Sequence, residues 1–377
     1  MKRILALRLF LCCYPLIVFG QTKYLEPNLE YGYYQAGFKV FHEYDYSRTL
    51  GQGRVADTNS KPISRPIQIS VWYPTDEEKD INPMPFKEYI KLIATQVDFD
   101  YRLDPLKHPS VEKLLSDPFF NKDQFNLAWQ ANSRAKRDAR QAIGPFPVII
   151  ISPGLFGSGF ENSTMAEFLA SHGFIVASFA TVNPTFEGFG PSSYESHSRD
   201  TEFVLGFMNR FPYADFDKLG LIGFSLGGSA VTTVMSRNRN VKAVVTLDGS
   251  YNKKLQPFVD PNHFDVPFLT INARQASPVV FNLIKNQDAY LLVFKNFGHC
   301  FFGSSWILLS NHDANDNNAV GGKQDEINLG YQLLCNYVLD FFNAYLNLKE
   351  ESRNKLASIH KRKDIPANFL IYKSKLK

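Results

Sequence analysis

The feature that most constrains how this chain can fold is a regular alternation of two kinds of segment after residue 144. Continuous apolar runs are separated by longer polar segments with helical periodicity. The apolar runs lie at residues 145–154, 173–180, 219–225, 241–249, 266–273 and 289–299. Strands of a parallel sheet are covered on both faces and therefore read as uninterrupted apolar runs, and parallel neighbours need helical crossovers. The alternation predicts an α/β fold with a mostly parallel, doubly wound sheet.

The first part of the chain predicts two strands and an insertion. Residues 37–46 and 65–74 are rich in β-branched and aromatic residues with partial alternation, which predicts N-terminal antiparallel strands joined as a hairpin. Residues 76–143 carry helical spacing and charge, interrupted by prolines. We interpret residues 76–143 as a helical insertion that could act as a lid.

Large aromatic side chains in this insertion have two interpretations. These residues are Phe86, Tyr89, Phe119, Phe120 and Trp129. If the insertion covers the mouth of a site, their rings line a pocket for an acyl chain or an aromatic group. Core packing is the simpler interpretation, because the chain has 33 phenylalanines to bury.

The first twenty residues have the pattern of an export signal. Lys2 and Arg3 precede an apolar run that ends at the small residue Gly20, after which the chain becomes polar. This pattern predicts a signal peptide at residues 1–20, a mature domain at residues 21–377, and a secreted or periplasmic protein. An uncleaved membrane anchor is the alternative, although the run is short and Arg8 interrupts it.

Composition and charge exclude several classes of protein. With 44% hydrophobic and 21% charged residues, the chain is globular rather than fibrous, disordered or multi-spanning. Loss of the basic residues in the signal segment brings the net charge of +4 close to zero, so nucleic acid is not an expected partner. Cys300 and Cys335 are the cysteines that remain, and the sequence leaves open whether they form a disulfide.

The segment Gly223-Phe224-Ser225-Leu226-Gly227 follows an apolar run and precedes a segment with helical spacing. A serine between two glycines in a strand–turn–helix context is typical of a nucleophile on a sharp turn. The glycines let strand and helix approach, while the serine hydroxyl is exposed above the sheet. A turn of small residues without catalytic function is the alternative, but the flanking strand and helix favour Ser225 as a nucleophile.

A serine hydroxyl is a poor nucleophile without a base. In this architecture the base follows the last strand, and the chain order is serine, acid, histidine. His299 ends the last apolar run. The other histidines after the serine, His263, His312 and His360, do not follow such a strand. The pattern therefore predicts His299 as the base.

An acid must orient that histidine and stabilise its protonated form. Asp248 ends the strand directly after the serine turn and its helix, whereas no carboxylate closely follows the run at residues 266–273. Asp260, Asp265 and Asp288 precede strands, which would place them at the opposite edge of the sheet. We therefore predict Asp248 as the acid, with a loop-capping aspartate as the alternative.

The negative oxygen formed during acyl transfer needs N–H donors. The backbone N–H of Leu226, directly after the serine, is the first candidate. The second is expected in the loop after the strand at residues 145–152, where Gly154 and Gly157 keep the backbone open. We select the N–H of Leu155 from this loop.

Motifs in four places support the same interpretation. They are SPGLFGSGFENSTMAEFLASHGFIVAS (152–178), GFSLGG (223–228), TLDGS (246–250) and GHCFFGS (298–304). In this order they resemble the α/β-hydrolase superfamily, and most closely its platelet-activating-factor acetylhydrolase and dienelactone-hydrolase-like branch. The resemblance covers about residues 35–75 and 145–345. It implies the α/β-hydrolase fold and a calcium-independent serine esterase that acts on short or oxidised acyl chains.

The chain departs from this pattern at two positions. Pro153 stands where a histidine usually precedes the first glycine of the oxyanion loop, and Phe224 replaces the usual histidine beside the serine. Neither position belongs to the predicted triad. Both departures, like the insertion, bear on which substrate is bound.

Together, the residues and the resemblance predict a secreted serine hydrolase that cleaves carboxylic esters through an acyl-enzyme. Short-chain or phospholipid-type acyl esters are the expected substrates, and contact with a lipid surface could accompany them. The chemistry needs no cofactor or metal. The alternatives left open are a carbohydrate acetyl esterase, an acyltransferase or carbon–carbon hydrolase, and a catalytically inactive binding module on the same fold.

Overall fold

The structure, a computed structural model, describes most of the chain. The described residues are 24, 27–50, 64–78, 82–116, 120–182, 191–249, 251–254, 256–257, 259–273, 278–295, 297–309, 323–359, 365–366 and 369–377. The signal peptide predicted at residues 1–20 lies outside the described residues, as does Phe119.

The strands of the described residues form a ten-stranded sheet. In chain order they are β1 (Gln35–Thr49), β2 (Ser64–Thr75), β3 (Ala135–Arg137), β4 (Phe146–Ser152), β5 (Ile175–Phe179), β6 (Ala214–Phe224), β7 (Val241–Leu247), β8 (Phe268–Ala273), β9 (Ala289–Phe294) and β10 (Leu370–Lys375). Across the sheet the order is β10-β9-β8-β7-β6-β4-β5-β2-β1-β3. Strands β4 to β9 are parallel, whereas β1 with β2, β2 with β5, and β9 with β10 pair antiparallel. The predicted, mostly parallel sheet and the N-terminal antiparallel strands are confirmed, while the connection between β1 and β2 lies outside the described residues.

Helices connect the parallel strands. The α-helices are α1 (Lys87–Lys91), α2 (Pro109–Leu115), α3 (Lys122–Gln130), α4 (Ser163–Ser171), α5 (Pro191–Met208), α6 (Leu226–Arg237), α7 (Val279–Leu283), α8 (Ser304–Leu309), α9 (Gln324–Tyr345) and α10 (Glu350–Ala357). Short 3-10 helices lie at Leu92–Thr95, Pro105–Lys107, Pro261–His263 and His299–Phe302. Helix α9 buries a face that includes Leu334, Val338 and Phe341 in the core.

Alternate residues of the central strands face opposite sides of the sheet. In β4, Ile149 and Ile151 pack into the core beneath α4 and α9, whereas Val148 and Ile150 pack into the core beneath α5 and α6. All four side chains are almost completely buried. Burial of each contributes about 1.5–3 kcal/mol. Two apolar faces explain why the strand sequence is a continuous apolar run.

The insertion is helical only in part. Helices α1, α2 and α3 confirm the helical interpretation, but helix α3 ends at Gln130 and residues Ala135–Arg137 form β3, which pairs parallel with β1. The helical prediction for residues 131–142 was therefore wrong. Edge pairing with β1 outweighs the helical propensity of this short charged segment.

Of the five aromatic residues singled out in the insertion, the four that the structure describes pack in or against the core. Phe86 and Tyr89 are 5% and 0% exposed, and the Tyr89 hydroxyl donates to Glu167 Oε1 at 2.6 Å. Phe120 and Trp129 are partly buried against the same core. Core packing is thus the interpretation that fits these residues.

A buried ionic network ties the N-terminal hairpin to α5. Asp200 is 1% exposed and accepts hydrogen bonds from Arg65 Nε at 2.6 Å and from Arg48 Nη2 at 2.7 Å. Arg48 also pairs with Asp45 at 2.6 Å. Every partner is largely removed from water, so each charge depends on the others for compensation.

We expect Asp200→Ala to lower the free energy of unfolding by about 3–5 kcal/mol, because both guanidinium groups would lose a buried counter-charge. Chemical denaturation followed by circular dichroism measures this change. The matched control is Asp265→Ala, which breaks the exposed pair with Arg239 and should cost less than about 1 kcal/mol. Equal losses in the two variants would contradict the prediction.

The structure answers the question of a disulfide between the two cysteines outside the predicted signal peptide. Cys300 and Cys335 are thiols in the structure and form no disulfide with each other. Cys335 is buried in α9, and this burial raises the pKa of its thiol well above the usual range.

Among the helices of the described residues, none combines the length and the apolar character needed to cross a membrane.

Candidate active site

Ser225 lies on the sharp turn between β6 and α6. Its backbone angles, φ of +52° and ψ of −118°, are rare for residues other than glycine. This strained conformation costs about 1–3 kcal/mol of stability. The Ser225 N–H donates to the Leu247 carbonyl at 3.0 Å, and the Gly228 N–H donates to the Ser225 carbonyl at 3.0 Å. These bonds hold the strained residue at the carboxyl edge of the sheet, as in a nucleophile turn.

Two glycines make this turn sterically possible. A β-carbon at Gly223 would lie 2.3 Å from the Gly227 carbonyl oxygen, and a β-carbon at Gly227 would lie 2.0 Å from the Ser152 carbonyl oxygen. No side chain can occupy either position without moving the backbone. The close approach of β4, β6 and α6 therefore requires the glycines that the sequence motif contains.

His299 reaches Ser225 from the segment that follows β9. It begins the 3-10 helix His299–Phe302, and its Nε2 lies 3.0 Å from Ser225 Oγ. Phe297, Phe301 and Phe302 are buried and pack against one another, which fixes the path of this segment. The distance allows Nε2 to accept the hydroxyl proton.

Asp248 lies at the end of β7, on the other side of the imidazole. Its Oδ2 is 2.5 Å from His299 Nδ1, and its Oδ1 accepts the Ala273 N–H at 2.8 Å. The carboxylate side chain is 8% exposed. A carboxylate in this position keeps the proton on Nδ1, so that the unprotonated Nε2 faces the serine.

The loop after β4 lies directly against the serine turn. A β-carbon at Gly154 would lie 3.2 Å from the Phe224 ring, and a β-carbon at Gly227 would lie 2.6 Å from the Pro153 carbonyl oxygen. Leu155 follows in this loop, and Leu226 begins α6, whose first N–H groups have no acceptor within the helix. The structure thus brings together the segments that carry the two selected N–H groups. Their role as oxyanion donors stays a prediction.

Phe224 has a contact that the sequence did not predict. Its ring centroid lies 5.1 Å from that of the His299 imidazole, with an angle of 30° between the planes. Phe224 is 3% exposed. The residue that departs from the pattern of the resembled branch therefore packs against the candidate base.

His197 lies buried next to the other departure from the pattern. The imidazole lies close to the Pro153 carbonyl, and its ring centroid is 5.7 Å from that of Phe179. Burial lowers the pKa of His197 to about 4, an effect that the nearby Asp200 carboxylate partly opposes. The residue is therefore neutral at pH 7.

We expect the free energy of unfolding to fall as pH is lowered from about 6.5 to about 4, because the unfolded chain takes up a proton at His197 before the folded chain does. The contribution of His197 to this fall in the free energy of unfolding is about 3 kcal/mol. Urea denaturation of the wild type and His197→Gln across this range measures it. The variant should show a shallower slope, whereas His263→Gln, at an exposed histidine, should keep the wild-type slope. Parallel slopes for all three proteins would refute the prediction.

The sheet order and the serine turn define the α/β-hydrolase fold. A solved structure with this fold is the ferulic acid esterase from Streptomyces cinnamoneus, which is 20% identical to this chain and superposes with a TM-score of 0.65. The match covers 89% of this chain and 96% of the esterase. Neither a family model nor a curated protein sequence matches this chain. At this level of identity the likeness shows the fold, which confirms the predicted fold class, and the branch resembled by the motifs stays a prediction.

Two residues close to the candidate site were missed by the sequence analysis. The carboxylate of Glu161 accepts the Gly154 N–H at 2.8 Å, and the hydroxyl of Thr181 lies 3.2 Å from the Gly154 carbonyl oxygen. Thr181 follows directly after the predicted strand at residues 173–180, at the sheet edge where candidate site residues gather. That position could have identified Thr181. Nothing in the sequence indicates that Glu161 is buried.

Proposed function

We propose that this protein is a serine hydrolase that cleaves carboxylic esters through an acyl-enzyme. The observation that carries the proposal is the continuous chain of contacts from Asp248 through His299 to Ser225, with distances of 2.5 Å and 3.0 Å. Support also comes from the likeness to a protein named as an ester hydrolase. A packed serine turn without catalytic function would not need a histidine and a carboxylate aligned behind it.

In the first half of the reaction, His299 Nε2 takes the Ser225 proton as Oγ attacks the ester carbonyl carbon. The carbonyl electron pair moves to the oxygen, and the N–H groups of Leu226 and Leu155 stabilise the resulting oxyanion. When the carbonyl re-forms, the bond to the alcohol breaks, and the alcohol leaves with the proton from His299. Ser225 is then acylated.

In the second half, water replaces the alcohol. His299 takes a proton from water as the water oxygen attacks the acyl carbon, and the same two N–H groups hold the second oxyanion. Collapse breaks the bond to Ser225 Oγ, which recovers its proton from His299. Throughout, Asp248 stabilises the protonated imidazole and does not itself take up the proton.

For the substrate, we propose short-chain or phospholipid-type acyl esters acted on outside the cytoplasm. The motifs that resemble the platelet-activating-factor acetylhydrolase-like branch and the export pattern at residues 1–20 support this choice. Esters of aromatic acids are a second candidate, favoured by the structural likeness to a ferulic acid esterase.

The proposal is tested by labelling and by turnover. A fluorophosphonate should attach covalently to the full chain, and peptide mapping should place the adduct on Ser225. A panel of nitrophenyl esters from acetyl to octanoyl, an oxidised phospholipid, methyl ferulate and an acetylated sugar then ranks the substrates. No labelling together with no turnover of any ester would overturn the proposal and favour a binding module.

A further inference from the structure

The Gly154–Leu155 peptide is held by groups that lie around the loop after β4. The Gly154 carbonyl accepts hydrogen bonds from the Gly157 N–H at 3.0 Å and from Thr181 Oγ1 at 3.2 Å. The Gly154 N–H, in the preceding peptide, donates to Glu161 Oε2 at 2.8 Å. Gly154 is therefore bonded through both its N–H and its carbonyl group, and the loop has little freedom to rotate this peptide.

Thr181 holds the loop at a second point. Its backbone N–H donates to the Gly157 carbonyl at 2.9 Å, and its Oγ1 lies 3.1 Å from the same oxygen. The residue is 9% exposed. The hydroxyl has one proton, which it shares between the two carbonyl oxygens in a three-centre hydrogen bond, so it contacts both ends of the turn from Gly154 to Gly157.

The Glu161 main chain connects this loop to the segment of the candidate base. Its carbonyl accepts the Ser305 N–H at 3.0 Å and the Ser304 hydroxyl at 3.2 Å, at the start of α8. Helix α8 follows the 3-10 helix that begins at His299. The loop is thus fixed relative to His299 as well as within itself.

The direction of the Leu155 N–H follows from the contact of the Gly154 carbonyl and from the order of strands around β4. The Gly154 carbonyl and the Leu155 N–H belong to one planar trans peptide and therefore point in opposite directions. The carbonyl points to Thr181, which follows β5, and β5 lies on one side of β4. Strand β6, which leads to Ser225, lies on the other side of β4. The Leu155 N–H is therefore directed to the Ser225 side.

We propose that Thr181 is a positioning residue for ester hydrolysis, whose hydroxyl holds the Gly154 carbonyl so that the Leu155 N–H is aimed at the developing oxyanion. This inference rests on the proposed function. It assigns a role to a side chain whose hydroxyl contacts the loop after β4. The oxyanion exists only after Ser225 has attacked, so Thr181 should affect the transition state much more than substrate binding.

The test compares Thr181→Ala, which lacks the hydroxyl, with Thr181→Ser, which keeps it. With nitrophenyl acetate, Thr181→Ala should lower kcat about tenfold, less than the 10²- to 10³-fold cost of removing a donor, and leave KM within about twofold. A trifluoromethyl ketone forms a hemiketal oxyanion with the serine, so its Ki should rise by the same factor. Thr181→Ser, which keeps the hydroxyl, should have the kcat and the Ki of the wild type. Thr181→Val, with a side chain of the same shape as threonine, repeats the comparison if Thr181→Ala folds poorly.

Thermal unfolding and the fraction labelled by fluorophosphonate confirm that each variant is folded before kinetics are compared. Unchanged kcat and Ki in both Thr181→Ala and Thr181→Val would overturn the inference, as would a loss that Thr181→Ser shares in full. In either case an active, Ser225-labelled wild type would leave the proposed function standing. An inactive, unlabelled wild type would instead remove the proposed function.

Discussion

The Ser225→Ala variant is expected to lose about 10⁴- to 10⁶-fold in kcat for the best ester of the panel. Alanine removes the Oγ that lies 3.0 Å from His299 Nε2, so no acyl-enzyme can form. The backbone hydrogen bonds of the turn do not involve the side chain, and the free energy of unfolding should change by less than about 1 kcal/mol. Steady-state kinetics and urea denaturation measure the two quantities.

The control for this variant is Ser236→Ala on the same helix. The Ser236 hydroxyl donates to the Thr233 carbonyl within α6 and lies near the far end of the helix from Ser225. Its removal should leave kcat within about twofold. Turnover by Ser225→Ala at the wild-type rate would refute the nucleophile assignment. Loss of labelling in Ser236→Ala, which keeps Ser225, would show that substitution in this helix damages the fold, and the rate lost in Ser225→Ala would then not be assigned to the missing hydroxyl.

The parallel part of the sheet could be predicted because its physical signal is strong. Strands such as β4 and β7 are buried on both faces, so nearly every residue must be apolar. The glycines around Ser225 are similarly informative, because backbone atoms lie where their β-carbons would be. In these segments local sequence and tertiary structure impose the same requirement.

The outer strands could not be predicted for the opposite reason. Strand β3 has three residues, Ala135–Arg137, and owes its conformation to pairing with β1 rather than to its own composition. Strand β10 lies at the other edge of the sheet with several exposed positions, and its lysines give it the polar character common on edge strands. Long-range pairing determines both strands, and the local pattern carries little trace of it.

The residues of the candidate site also fall into two groups, those that the sequence could predict and those that it could not. Ser225, Asp248 and His299 were selected because each follows a strand whose carboxyl end reaches one edge of the sheet, and the structure brings the three side chains into contact. The contacts made by Glu161 and Thr181 depend on how two loops fold against each other. The rule that site residues follow the carboxyl ends of parallel strands locates the three predicted residues. The contacts of Glu161 and Thr181 can be found only from the three-dimensional structure.

The Asp248→Asn variant is expected to lower kcat about 10⁴-fold with little change in stability. The Asp248 carboxylate accepts the proton-bearing Nδ1 of His299 on Oδ2 and the Ala273 N–H on Oδ1. If the amide oxygen of asparagine keeps the bond from Ala273, the amide NH₂ faces the imidazole as a donor. Nδ1 must then accept, which places the proton on Nε2, where it can no longer take one from Ser225.

The matched control for this last substitution is Asp265→Asn, an exposed aspartate that precedes β8 and pairs with Arg239. It should keep kcat within about twofold. The rate of fluorophosphonate labelling gives a second measure, because phosphonylation of Ser225 also needs proton removal by His299. Labelling should slow strongly in Asp248→Asn and not in Asp265→Asn. Wild-type turnover and labelling in Asp248→Asn would show that the 2.5 Å contact to the imidazole does not control the protonation of His299, and the acid would then have to come from another residue.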